Sequence, residues 1–105
     1  MNTHKILFDD FIKELSKDWT CLEVCFYVDN HPDYQDCWLW KMVERETNSI
    51  IYWYGLVKDG SQAYDFPTMN EFVDAKIFQD RSLKDIWELI SIYSFNGIDI
   101  EEYFA

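Results

Sequence analysis

Residues 37–58, CWLWKMVERETNSIIYWYGLVK, alternate so regularly that they read as two β-strands folded on each other about Glu46-Thr47-Asn48-Ser49. With Thr47 and Asn48 as a two-residue turn, Arg45 faces Ile50, Val43 faces Tyr52, Lys41 faces Tyr54 and Leu39 faces Leu56. The alternate set pairs Met42 with Trp53, Trp40 with Gly55 and Trp38 with Val57. Opposed residues share a side of the sheet, so the two sets occupy opposite faces. The second set is almost wholly apolar and is expected to face the core, with Gly55 leaving room for the Trp40 indole. The first set mixes Lys41 and Arg45 with Tyr52 and Tyr54, a composition suited to water or to a partner. A slip of one residue would exchange the faces. Thr-Asn holds its register less firmly than Asn-Gly would, because Thr resists positive φ.

The rest of the chain supplies partners for this hairpin. In residues 5–17, Leu7, Phe8, Phe11, Ile12 and Leu15 fall on one helical stripe, which predicts an amphipathic helix docked on the sheet. Residues 20–28, TCLEVCFYV, predict a strand with Leu22, Val24, Phe26 and Val28 inward. Gln62 to Phe66 is expected as a short fourth strand ended by Pro67. Thr68-Met69-Asn70-Glu71 matches a capping box and predicts a helix from Met69 to about Phe78. Ser82-Leu83-Lys84-Asp85 predicts the next helix in the same way, with Ile86, Trp87, Leu89 and Ile90 on its apolar face. Residues 91–95 fit either the fraying end of that helix or a strand, Asn96-Gly97 breaks the element, and Asp99 is positioned to cap a final turn. The expected architecture is α+β: an N-terminal helix, a three- to four-stranded antiparallel sheet, then two to three C-terminal helices packed on one sheet face. At 105 residues the chain is expected to form a single domain over 1–105.

Charge limits what such a domain can bind. Twenty acidic residues against nine basic ones give a formal net charge of −11. Residues 1–58 hold ten carboxylates against six Lys or Arg, residues 59–105 ten against three, and no basic residue follows Lys84. Such a chain is repelled by nucleic acid and by anionic membrane and attracted to basic surfaces. No stretch approaches the length of a membrane span. The opening MNTHKILFDDF meets acids at once and does not read as a secretory signal. Three cysteines in no ligand-like spacing fit a reduced compartment, so the expected location is cytoplasmic.

Catalytic and cofactor signals are weak. Cys21 and Cys25 share a strand face, but four residues along a strand is about 13 Å, too far for one ion. Asp29, Asp33 and Asp36 lack the order of a calcium loop. With three glycines there is no phosphate-cradling loop and no dinucleotide fingerprint. The expectation is therefore no enzyme, no metal and no cofactor.

A protein partner fits better. Asp59, Asp65, Asp99, Glu101 and Glu102 supply charge, while Arg45, Tyr52 and Tyr54 have the composition of a packed contact. In size and charge the chain is similar to immunity proteins that block nuclease toxins and to phage or mobile-element inhibitors of restriction or CRISPR nucleases. That similarity implies an acidic inhibitor, a nucleic-acid mimic that occludes a basic, nucleic-acid-handling partner without itself binding nucleic acid or membrane. The alternative is a homodimeric assembly module using the same sheet face.

Overall fold

The computed structural model describes residues 5–17, 20–57 and 60–103, with Glu101 by its backbone alone. Helix α1 (Phe8–Leu15) precedes strands β1 (Leu22–Val28), β2 (Cys37–Glu44), β3 (Ser49–Gly55) and β4 (Ala63–Phe66). Helix α2 (Met69–Asp74) and a 3₁₀ turn (Trp87–Leu89) lead to β5 (Ile90–Phe95), β6 (Ile98–Asp99) and the single turn of α3 (Ile100–Tyr103). The strands form one antiparallel sheet in the order β4-β3-β2-β1-β5-β6. Among the described residues no helix is long and apolar enough to cross a membrane.

This corrects the expected three- to four-stranded sheet followed by two to three C-terminal helices. The sheet has six strands, and the chain after β4 is mostly not helical. Both capping signals act. Thr68 accepts from the Glu71 N–H, and Ser82 and Asp85 exchange side-chain-to-backbone hydrogen bonds at 3.0 and 3.2 Å. Neither cap sustains a long helix. α2 stops where Ala75 turns extended, and the Ser82 cap is followed only by turns and the 3₁₀ turn. Ile90 and Ile92 then pair with Val28 and Phe26, giving β1 a neighbour on its second edge. Asn96 and Gly97, at φ 51° and 79°, make the two-residue turn into β6, both in the left-handed region that Asn-Gly tolerates.

The β2–β3 hairpin differs from its expected register by two residues. Lys41 pairs with Tyr52, Trp40 with Trp53 and Trp38 with Gly55. The loop is therefore four residues, Arg45 to Asn48, closed by the Asn48 N–H donating to the Arg45 carbonyl, with φ 57° at Asn48. A shift of two keeps each set on one face.

The faces themselves are the reverse of the expectation. Leu39, Lys41, Tyr52, Tyr54 and Leu56 are buried, whereas Trp38, Met42 and Ile51 are exposed. The cause lies in the polar tips. Lys41, 2% exposed, donates from Nζ to the Leu15 carbonyl at 2.8 Å and also to the Lys17 carbonyl. A cation there satisfies acceptors at the end of α1 and meets the negative end of its dipole. Tyr54 donates to the Phe72 carbonyl at 2.8 Å and stacks on the Phe72 ring at 4.0 Å. Apolar stems with hydrogen-bonded tips can be buried without leaving an unsatisfied group. β1 behaves as its alternation predicts, with Leu22, Val24, Phe26 and Val28 inward.

Covering is supplied from two directions. Phe11 and Leu15 of α1 are fully buried, and Trp87 packs on Phe11 at 4.7 Å while its indole N–H donates to the Ile6 carbonyl. The long connection from β4 to β5 crosses the same face, burying Phe72, Val73, Phe78, Leu83 and Ile86.

Candidate protein-binding face

The other face of the sheet has no layer packed on it among the described residues, and cross-strand register sets its side chains in rows. One row runs Glu23, Trp40, Trp53, Asp65 across β1, β2, β3 and β4, so two indoles lie between two carboxylates. The Trp40 and Trp53 rings are 4.9 Å apart. The next row runs Asp99, Ser94, Cys25, Trp38, Gly55, Ala63 from one edge of the sheet to the other. Beyond the indole row, Met42 pairs with Ile51 and Glu44 with Ser49. Trp38, Met42, Ile51 and Tyr93 keep 38%, 53%, 44% and 41% of their surface exposed. No strand position on this face is Lys or Arg.

A β-bulge helps to build the face. Between Cys25 and Phe26 the β1–β5 register shifts, leaving Tyr93 as the extra residue of β5. The Tyr93 ring packs at a tilt against Tyr27, centroids 4.7 Å apart, which extends the aromatic surface toward β5. At this corner Ser91 is fully buried and donates to Asp29 at 2.7 Å, and Lys5 bonds the other Asp29 oxygen at 2.6 Å.

Gly55 has a specific task. A Cβ built there would lie 2.3 Å from Cη2 of Trp53, so the indole rests directly on the glycine backbone. Beside it opens a groove of 440 Å³ lined by Asp36, Trp38, Trp53, Gly55, Val57 and Ala63. The Trp40 indole N–H, shielded from solvent, has no acceptor among the described residues.

The electrostatics are those of a negative surface. Burial, then the Asp36 and Glu23 carboxylates, push the Cys25 thiol up. The Tyr93 hydroxyl is pushed up by burial, by Tyr27 and by Asp36. Burial, then Cys25 and Asp36, carry Cys37 up to about 12. Cys25 and Cys37 are therefore thiols at neutral pH, not nucleophilic thiolates. Among the described residues no three His, Cys, Asp or Glu side chains converge as ligands for one ion.

The residues expected to carry binding are dispersed. Asp65 and Asp99 are exposed and lie by register at opposite edges of the open face. Arg45 is in the hairpin loop, Glu102 is exposed on α3, the Glu101 side chain is not described, and Asp59 lies outside the described residues. Tyr52 and Tyr54 are 8% and 0% exposed beneath the helices, which corrects their placement on a partner-facing surface. Trp38, Trp40, Trp53, Met42 and Ile51 take that place instead. Of these, Trp38, Trp40, Met42 and Trp53 belong to the more apolar set expected to face the core; the signal for the reverse is Lys41, whose long stem reaches carbonyls at a helix end.

No protein-family model, no curated protein and no solved structure matches this chain.

Proposed function

We propose that this protein is a binding protein that occludes a basic, nucleic-acid-handling partner, using the open face of its sheet as the contact. The observation that carries this reading is the row Glu23-Trp40-Trp53-Asp65, aromatic in the middle and anionic at both ends, on a face without a basic strand residue. Large rings supply contact area at small entropic cost, and the flanking carboxylates steer a cationic surface onto them. The net charge of −11 adds long-range attraction to the same kind of partner. An immunity protein for a nuclease toxin and an anti-restriction or anti-CRISPR inhibitor are the two settings that fit.

Capture by the tagged protein from its native host, eluted in a salt gradient, tests this when run with face variants. A basic nuclease that leaves at moderate salt, is inhibited by the pure protein, and is lost by Met42→Glu and Ile51→Glu is the expected result. Capture that both variants leave intact would remove the face from the reading. Concentration-dependent mass in light scattering, abolished by the same variants, would replace the basic partner with a second copy of the chain.

A further inference from the structure

Two kinds of nucleic-acid site can attract an acidic protein, and the open face fits one of them. A duplex carries its phosphates outside and its bases stacked within, about one charge per 1.7 Å of axis. A surrogate for it needs carboxylates packed densely along its contact surface. The row Glu23-Trp40-Trp53-Asp65 has carboxylates only at its two ends. At the usual strand spacing it spans about 14 Å, a length over which a duplex shows about eight phosphates. The middle of the face is apolar instead: Trp40 and Trp53 are half-buried, and Trp38, Met42 and Ile51 are exposed around them.

A single strand has the opposite plan, with its bases open and its phosphates to either side. The proteins that hold it offer aromatic rings and guanidinium planes to the bases and cations to the backbone. Trp40 and Trp53 lie 4.9 Å apart but tilted by 47°, so each ring meets a partner on its own, as splayed bases do. We propose that the open face docks in the single-strand cleft of a nucleic-acid-binding protein, the indoles in place of bases and Glu23 and Asp65 in place of phosphates. The inference rests on the reading of the open face as a partner-binding surface and adds the kind of site that the partner brings. A protein that grips a duplex presents Lys and Arg to phosphates, and an apolar patch laid over them would strip their water and return no hydrogen bond. A base-stacking cleft avoids that loss, because rings and guanidinium planes stack on indole as they do on a base. Glu23 and Asp65, both exposed, then meet the cations that flank such a cleft.

The test uses the tagged full chain loaded with host extract and eluted on parallel columns. One eluent is a mixed-sequence single strand about twenty nucleotides long, as DNA and as RNA, longer than one single-strand site. The others are the same strands annealed to their complements, and salt of matched ionic strength. The protein followed is the one that Met42→Glu fails to capture. It should leave with one of the single strands at a concentration about tenfold or more below that of the duplex, a difference of the order of one stacked base. Trp40→Leu and Trp53→Leu keep apolar bulk but remove the π-face, and each should weaken capture by a similar factor. Trp40→Phe and Trp53→Phe, which keep a ring, should weaken it less.

Elution by duplex at the same or a lower concentration, elution by salt alone, or Leu variants that bind like the Phe ones would overturn the proposal. Each of those results leaves the face reading in place, since the protein followed depends on Met42. If no captured protein depends on Met42 or Ile51, the face reading itself falls, and the docking assignment falls with it.

Discussion

Both faces of this sheet carry aromatic rings across adjacent strands, yet among the described residues only one is roofed. On the covered face Tyr54 is fully buried against Phe72, and on the open face Trp38 keeps more than a third of its surface. Hydrophobicity alone would roof the other face, since Trp38, Trp40, Met42, Ile51 and Trp53 are more apolar than Lys41, Tyr52 and Tyr54. What separates the faces is the provision made for polar tips. The Tyr54 hydroxyl and the Lys41 ammonium end on carbonyls of Phe72, Leu15 and Lys17. Such tips tie the covering segments down in one position, which greasy rings alone do not do. On the open face the Trp40 N–H has no acceptor among the described residues.

The sharpest way to break this comparison is to truncate one ring on each side. Tyr54→Ala should cost about 4 kcal/mol of unfolding free energy, the range for a large buried aromatic. Trp38→Ala should cost less than about 1 kcal/mol, as for an exposed site. Urea unfolding of the two variants measures both, and comparable losses would mean that the open face belongs to the core. Lys41→Met comes next. It keeps the stem and removes the ammonium, leaving the carbonyls at the end of α1 without that donor, for about 2 kcal/mol of lost stability. A neutral Lys41→Met would show that packing, not the polar tip, selects the covered face.

The smallest effect belongs to the corner where the open side is sealed. Burial by itself raises the Asp29 carboxyl, but hydrogen bonds from Lys5 and Ser91 outweigh it and hold the group below the usual carboxylate range. A carboxyl depressed by folding contributes stability that is complete above its unfolded value, about pH 3.9, and is lost as pH falls through the lower folded value. Asp29→Asn should therefore cost about 1 kcal/mol at neutral pH. The difference between wild type and variant should shrink as the pH drops below about 4. Chemical unfolding at neutral and acid pH checks this, and a gap that widens in acid would contradict the assignment.

Local signals were legible where one residue type had one use. Alternation in β1 named its inward residues, Pro67 ended β4, and Thr68 and Ser82 capped where their spacing said they would. Helix length after those caps was not legible, because β-branched Ile90 and Ile92 gain more from the free edge of β1 than from another helical turn. Asn96-Gly97 between Phe95 and Ile98 did carry the hairpin signal, and reading it as a mere break cost the sheet two strands. On the open face, Asp65 and Asp99 were expected for their charge, whereas the indoles in their rows were not. Aromatic strand residues look alike in sequence whether they are roofed or bare, and only the partners of Lys41 and Tyr54 tell the two apart.

The sheet ends in stubs: β4 has four residues, followed by Pro67, and β6 has two. A seventh strand, whether from a partner or from a misfolded copy, would find an outermost strand of only four residues on one flank and two on the other. This limits docking by strand addition and hinders stacking into fibrils, even for a chain with so much β structure. Short edge strands leave the broad face, with its side chains, as the larger surface of the sheet. Point substitutions on the open face can then change its surface without touching the hydrogen-bonded ladder.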